Sequence, residues 1–359
     1  MLFFQHVRIP MEHWSPERRI LGATFQKGEK DALMKDPQML WLVGGVVAVL
    51  ILATVITALL IRAKGATPVL MNLRQRVMAW WWMMLVFSLS LAFGRTGVFG
   101  FYFVMSFLAL REFLTVSPTP QGDHRTLTWV FFLILPVHYV FAWLPWYGMY
   151  LVWIPVYAFV FIPIRSALAG DTDRFLERTS RIQWAVLTCI YFLSYLPMLL
   201  YLPIPGYEGQ NAKLLFFVVL VTQISDVMQY VFGKLFGKRQ VAPTVSPSKT
   251  REGLLFGGLA AVAIGTGLWW ATPFPPLVSA AMSALLVLSG FCGGLVMSAV
   301  KRSLGAKDWG NGIPGHGGVL DRLDSLLFAG PVFFHLTGFY FGTNMAAQAH
   351  PAWMHCLPL

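Results

Sequence analysis

Residues 277–299 read LVSAAMSALLVLSGFCGGLVMSA and contain no charged side chain. A helix of about 20 apolar residues is long enough to cross the ~30 Å hydrocarbon layer of a bilayer. The whole chain agrees with this stretch, since 57% of its residues are hydrophobic and 12% are charged, against roughly 25% charged in soluble domains. The composition therefore excludes a soluble globular protein and a disordered one, and it predicts a helical membrane protein.

Nine other apolar runs accompany this one, and together they predict an all-α, polytopic integral membrane bundle of about ten helices, with eight to ten plausible. The fourth and fifth runs are also compatible with a re-entrant pair. We divide the chain into a polar segment (1–36), an N-terminal set of helices (37–212), a transmembrane region whose loops carry the polar motifs described below (213–345) and a tail (346–359). The ten runs cover residues 38–61, 77–94, 98–114, 127–144, 149–164, 183–203, 213–232, 254–272, 277–299 and 326–345.

The basic residues indicate the orientation of these helices. Most of the 27 Lys and Arg residues fall in alternate connections, whereas the opposite connections hold Arg95 and, at the edge of a run, Lys213. Because Lys and Arg are retained on the cytoplasmic side, the basic connections are predicted to be cytoplasmic and both termini to lie outside. If the first run were interfacial or re-entrant, the N-terminus would be cytoplasmic instead. This topology explains the net charge of +11 without nucleic-acid binding.

A polar stripe interrupts one apolar run. Residues 220–230 read LVTQISDVMQY, in which Gln223, Asp226, Gln229 and Tyr230 recur at helical spacing. Hydrogen bonding between helices is the alternative role for the amides and the hydroxyl. A carboxylate within the bilayer is costly, so for Asp226 a functional role is favoured.

Two polar connections carry residues suited to phosphate chemistry. The first, residues 245–253, places Ser246 and Thr250 beside Lys249, although basic loops also serve as topology signals or bind lipid headgroups. The second, residues 298–325, supplies carboxylates that suit Mg²⁺, cations that suit phosphate oxygens and glycines that allow close backbone approach. A helix starting near residue 321 would place the last two carboxylates on one face. The carboxylates are Asp308, Asp321 and Asp324, the cations Lys301, Arg302, Lys307 and Arg322, and the glycines Gly310, Gly312, Gly315, Gly317 and Gly318; His316 between two glycines could act as acid, base or phosphate donor.

These residues resemble the phosphatidate cytidylyltransferases, or CDP-diacylglycerol synthases. Ser298 to Asp324 follows the family pattern Ser-x-x-Lys-Arg, Lys-Asp, Pro-Gly-His-Gly-Gly and Asp-Arg-x-Asp, and the Ser-Pro-x-Lys-Thr-x-Glu-Gly element matches from Ser246 to Gly253. The neighbours of Asp226 depart from the usual Ala-Asp-Thr-Gly-Ala-Tyr, and Arg251 replaces a usual Trp. The chain therefore resembles a divergent bacterial branch, and its departures bear on the lipid acceptor more than on the reaction.

The resemblance implies transfer of a cytidylyl group from CTP to phosphatidate, with Mg²⁺ or another divalent cation, at the cytoplasmic side of a bacterial inner membrane. It implies CTP, a lipid phosphate and membrane lipids as partners, no nucleic acid, and leaves a homodimer open. The implied metal ligands are Asp226, Asp308, Asp321 and Asp324; the implied catalytic residues are Lys307, Asp308, His316, Asp321 and Arg322; and the implied substrate contacts are Ser246, Lys249, Thr250, Ser298, Lys301, Arg302, Gly315, Gly317 and Gly318.

Other functions stay open at this point. A related CTP-dependent enzyme could act on another lipid phosphate or on a polyprenyl acceptor, and a lipid kinase would release CDP rather than pyrophosphate. A transporter or lipid-binding protein is the alternative from another class. It would spread charges across the membrane and often show a repeat, whereas here the carboxylates cluster and no repeat is visible.

Overall fold

A computed structural model describes residues 36–144, 146–313, 315 and 317–343. Each of the ten predicted runs corresponds to one helical segment of this part of the chain. The predicted tail, most of the predicted polar segment, Pro314 and His316 lie outside the described residues. The segments are α1 (Pro37–Lys64), α2 (Pro68–Ala92), α3 (Gly94–Val116), α4 (Gln121–Trp143), α5 (Tyr147–Ala167), α6 (Phe175–Tyr201), α7 (Asn211–Phe236), α8 (Gly253–Gly267), α9 (Pro276–Ser303) and α10 (Leu320–Tyr340).

Within the described residues, seven of these helices are long and apolar enough to cross a membrane, namely α1, α3, α4, α5, α6, α7 and α9. The helices α2 and α10 contain 25 and 21 residues, while α8 is a shorter apolar helix. The predicted all-α, polytopic class is confirmed. The fourth and fifth runs form α4 and α5, each long enough to span alone.

The helices differ in how deeply they are buried. In α6, 72% of the residues in its most apolar 18-residue stretch are buried, whereas in α1 only 11% of the corresponding residues are buried. The helix α6 packs against α3, α4 and α10, while α1 packs mainly on α2. The bundle is therefore built around α6, and α1 lies at its edge.

Four helices contain a π-helical turn, which interrupts the regular ladder of backbone hydrogen bonds. Pro155 lies inside one such turn, and Pro136 lies two residues after the end of another. Since proline has no backbone N–H, it accounts for the irregular bonding at these two places. The turns are Val130–Ile134, Trp153–Ala158, Leu187–Phe192 and Gly253–Gly257.

Glycines allow α9 and α10 to pack closely. A Cβ added at Gly293 would lie 2.8 Å from the carbonyl oxygen of Asp324, and one at Gly290 would lie 3.5 Å from Ser325 Cβ. Small residues at such positions let membrane helices approach each other. This contact packs the start of α10 against the half of α9 that the sequence predicts to lie toward the cytoplasm.

A short hairpin connects α7 and α8. Its strands, β1 (Gln240–Ala242) and β2 (Ser246–Thr250), are antiparallel, and Gln240 pairs with Thr250. The carboxylate of Glu252 accepts hydrogen bonds from the backbone amides of Lys238 and Arg239 at 3.0 and 3.1 Å. These two donors lower the pKa of Glu252. The carboxylate thus ties the two ends of the hairpin together.

Candidate active site

A polar cavity of about 190 Å³ lies where α7, α9, α10 and the hairpin meet. The predicted polar stripe of α7 forms one wall, and the first turn of α10 forms another. The lining includes Asp226, Lys249, Ser298, Asp321, Arg322 and Asp324. Residues from all three motifs recognised in the sequence therefore meet in one place.

Asp226 and Asp324 face each other across this cavity. The two carboxylates repel each other electrostatically, and the Ser325 hydroxyl interacts favourably with the Asp226 carboxylate. The same hydroxyl lies 3.5 Å from Asp324 Oδ1, which also accepts a hydrogen bond from the Ser325 amide at 2.8 Å. Two like charges held together in a buried cavity favour the binding of a cation.

Three cations partly balance this pair. Lys301 interacts favourably with Asp324, and Lys249 and Arg322 interact favourably with both carboxylates. Lys249 Nζ lies 4.6 Å from the centre of the Phe291 ring and donates to the Phe291 carbonyl at 3.3 Å. Arg322 lines the cavity, and its Nε is buried with no hydrogen-bond partner among the described residues. The cavity thus presents donors and acceptors to a ligand that carries both phosphate and metal.

Gly294 gives Lys249 the space that it occupies. A Cβ at Gly294 would lie 2.8 Å from Lys249 Nζ and 3.3 Å from Ser325 Oγ. Any larger residue on this face of α9 would displace the ammonium group or the hydroxyl. The glycine-rich sequence of α9 is therefore part of the site as well as of the helix packing.

Asp321 is bound by the protein itself. Its Oδ1 pairs with Lys301 Nζ at 2.6 Å, and its Oδ2 accepts hydrogen bonds from the amides of Trp309 and Gly318, both at 2.9 Å. The Trp309 ring is buried and stacks on Phe113. Asp321 thus joins α9, the glycine-rich loop and α10, and this geometry favours a positioning role over metal binding.

Glu112, at the end of α3, is a residue that the sequence analysis missed. Its Oε1 accepts a hydrogen bond from the Val319 amide at 2.9 Å, and its Oε2 accepts one from the Leu320 amide at 2.8 Å. These are unpaired donors at the start of α10, where a negative charge is favourable. Glu112 therefore caps the helix that carries Arg322 and Asp324.

The glycine-rich loop packs closely against the carboxylates of Glu112 and Asp321. A Cβ at Gly318 would lie 2.4 Å from Glu112 Oε2, and one at Gly317 would lie 2.8 Å from Asp321 Oδ2. Gly315 and Gly317 also adopt φ angles of 74° and 84°, which residues with a side chain rarely adopt. The three predicted substrate-binding glycines thus have a structural reason to be glycine, and the neighbouring His316 lies outside the described residues.

The other predicted site residues either bond to neighbouring backbone groups or lie outside the cavity lining. Ser298 and Thr250 line it, but their hydroxyls bond to the Gly294 carbonyl and the Gly253 amide. Arg302 donates to the carbonyl groups of Val245 and Ala306 and thereby joins the hairpin to the loop. Ser246 is buried at the start of β2. Lys307 and Asp308 are exposed and do not line the cavity.

The four predicted metal ligands are not gathered around one point. Among the described residues, no group of three His, Cys, Asp or Glu side chains is arranged to hold a metal ion. Mg²⁺ in nucleotide sites is commonly held by one or two carboxylates together with substrate phosphates. Asp226 and Asp324 fit that donor set, because both face the cavity and neither is neutralised by a direct ion pair within the described part of the chain.

All of these site residues lie within the part of the chain that matches one protein family. The family model for cytidylyltransferases matches residues 74–340, which include Glu112, the hairpin and all three motifs. The chain belongs to the cytidylyltransferase family. The resemblance inferred from the motifs is confirmed, and the enzyme is a CTP-dependent nucleotidyltransferase.

Individual relatives place the enzyme more closely. It is similar to the Bacillus subtilis phosphatidate cytidylyltransferase, at 28% identity over 76% of this chain and 100% of that protein. It shares 39% identity with the phosphatidate cytidylyltransferase of Mycobacterium leprae, over 45% of this chain and 51% of that protein. It shares 37% identity with the Escherichia coli protein YnbB, described as uncharacterized, over 80% of this chain and 94% of that protein. The last similarity agrees with the predicted divergent branch.

Proposed function

We propose that this enzyme transfers the cytidylyl group of CTP to phosphatidate, giving CDP-diacylglycerol and pyrophosphate, at the cytoplasmic face of a bacterial inner membrane. The observation that carries the proposal is the pair Asp226 and Asp324, flanked by Lys249 and Arg322 in one polar cavity. The names of the Bacillus subtilis and Mycobacterium leprae relatives support phosphatidate as the acceptor.

The location of the cavity supports a cytoplasmic site. It lies at the helix ends that carry the basic connections, including Lys249, Lys301 and Arg322. Lys and Arg are enriched on the cytoplasmic side of membrane proteins. CTP is a cytoplasmic solute and the lipid phosphate lies in the headgroup layer, so the two can meet at this level.

The reaction requires charge neutralisation more than acid–base chemistry. A phosphatidate oxygen attacks the α-phosphorus of CTP, a new P–O bond forms, and the bond to the bridging oxygen of the β-phosphate breaks. Pyrophosphate leaves with the electron pair, and no base is needed because the attacking phosphate is already ionised. In the proposal Lys249 and Arg322 hold phosphate oxygens in line for this step.

Asp226 and Asp324 would hold the divalent cation, which when bound would supply positive charge beside the phosphates. Lys301 and Asp321 would keep the glycine-rich loop and the first turn of α10 in register. The motif match also leaves Lys307, Asp308 and His316 as proposed contacts to CTP, and Ser246, Thr250, Ser298 and Arg302 as proposed supports of the phosphate site.

The test uses the full-length enzyme in nanodiscs that contain phosphatidate, supplied with CTP and Mg²⁺. We expect release of pyrophosphate and formation of CDP-diacylglycerol, which EDTA abolishes and added Mg²⁺ restores. We expect Asp226→Asn and Asp324→Asn each to remove several kcal/mol of charge stabilisation from the transition state, which corresponds to a rate at least ~100-fold lower. Asp173→Asn is the matched control, because Asp173 is exposed and distant from the cavity lining.

Two results would overturn the proposal. Turnover of both cavity variants at the control rate would remove the carboxylate pair from the mechanism. Release of CDP with transfer of a single phosphate would assign kinase chemistry instead. Asp308→Asn, measured in parallel, tests whether the exposed Asp308 takes part, since a rate equal to that of Asp173→Asn would exclude it.

A further inference from the structure

A second cavity, about 430 Å³ in volume, lies next to the polar one and is almost entirely apolar. Its walls come from α1, α2, α3, α7 and α10, and they include Met84, Phe87, Phe101, Phe216 and Leu326. Its size falls within the ~300–1,000 Å³ that small-molecule sites usually occupy. We call this space the apolar chamber.

Arg322 joins the two cavities, because its side chain lines both. The Gln223 amide lines the apolar chamber and donates to the Arg322 carbonyl at 3.1 Å. The buried Arg322 Nε has no hydrogen-bond partner within the described part of the chain. A ligand at this junction therefore meets a cation and a free donor at one end and hydrocarbon at the other.

The apolar chamber also reaches the outer surface of the bundle. Trp82 and Val86 on α2 line it, yet they are 64% and 44% exposed. The chamber therefore opens toward the bilayer at these two side chains of α2, and an acyl chain can reach it from the hydrocarbon layer.

We propose that the apolar chamber holds one acyl chain of the lipid phosphate acceptor, with the acceptor phosphate at Arg322 and directed toward Asp226 and Asp324. This inference rests on the proposed function. It adds a specificity site, since the chamber has a finite volume of about 430 Å³ and holds a chain of limited length, whereas the second chain would stay in the bilayer.

The experiment narrows the chamber and varies the acyl chain. Val219→Phe on α7 adds volume inside the chamber, and Val104→Phe on the lipid-exposed face of α3 is the matched control, because Val104 is 48% exposed and does not line it. Both are assayed with dioleoyl and dihexanoyl phosphatidate in mixed micelles. We expect Val219→Phe to raise the KM for the dioleoyl lipid at least tenfold, with the KM for CTP and turnover of the dihexanoyl lipid within twofold of wild type.

Equal losses for both lipids, or no loss for either, would overturn the inference. Should Val219→Phe not fold, Ala79→Leu on the opposite wall replaces it, with the exposed Ala263→Leu as its control. Failure of the proposed function is a separate result, since the wild type would then turn over neither phosphatidate.

A binding measurement that does not depend on turnover completes the test. Phosphatidate with a diazirine near the end of one acyl chain should label the peptide that contains Met83 and Met84. Phosphatidylcholine with the same diazirine should label it several-fold less, and unlabelled phosphatidate should compete. Equal labelling by both lipids would identify a general lipid site and overturn the assignment to the acceptor.

Discussion

Replacing Glu112 by Gln tests how the enzyme assembles its site. The carboxylate on α3 binds the amides of Val319 and Leu320 through separate oxygens. Gln keeps the shape but has one acceptor oxygen, so one amide at the start of α10 loses its partner. The change also removes the negative charge at this helix N-terminus.

The expected magnitude follows from these two contacts. A hydrogen bond to a charged group contributes roughly 1.5–3 kcal/mol, and the interaction with the helix dipole adds about 0.3–1 kcal/mol. We therefore expect the first turn of α10 to open more easily by about 2–4 kcal/mol. Arg322 lies in that turn and Asp324 directly follows it, so kcat/KM should fall through a smaller fraction of competent enzyme, by up to the roughly 30- to 800-fold that 2–4 kcal/mol represents.

Hydrogen exchange in nanodiscs, read together with pyrophosphate release, separates this effect from global unfolding. Exchange of the amides of Val319 and Leu320 should accelerate in Glu112→Gln, while exchange in α6 stays unchanged. Glu177→Gln serves as the control, because Glu177 is exposed and pairs with Arg181 within α6, a helix that does not contain Glu112. Normal exchange at residues 319–320 together with full activity would refute the capping role.

Two further substitutions test the contacts around the cavity. Gly294→Ala should lower kcat/KM about tenfold, because the new Cβ would meet Lys249 Nζ at 2.8 Å, whereas Gly100→Ala has no atom within 4 Å and should be neutral in the same pyrophosphate assay. Lys301→Met leaves Asp321 buried without its partner and should destabilise the fold by about 3–5 kcal/mol, seen as a lower thermal midpoint in detergent that adding Asp321→Asn partly restores.

The helices were largely predictable, because an apolar run long enough to cross a bilayer has few alternatives to helix. The boundaries were less so. The second run was predicted to begin at residue 77, yet α2 begins at Pro68, where the Thr67 hydroxyl caps the first turn. Hydropathy detects the part of a helix that lies in hydrocarbon, whereas backbone hydrogen bonding continues through Arg74 and Arg76 into the polar layer.

The site was predictable where its chemistry lies in side chains at helical spacing. Asp226 stood out as a charge within an apolar run, and it faces the cavity. Glu112 gave no comparable signal. It follows Arg111 near the end of a helix, where charged residues are common in membrane proteins. Its partners are backbone amides more than 200 residues away, and no residue type marks such a contact in the sequence.

The spacing of Asp321 and Asp324 suggested two equivalent ligands on one helix face, but the structure gives them different surroundings. Asp321 is balanced by Lys301 and two amides, so its charge is already compensated. Asp324 faces Asp226 and makes no direct ion pair among the described residues, although Lys301, Lys249 and Arg322 lie near enough to offset part of the repulsion. Asp321 therefore stabilises the loop without a ligand, whereas Asp226 and Asp324 are stabilised most when a cation and phosphates bind together.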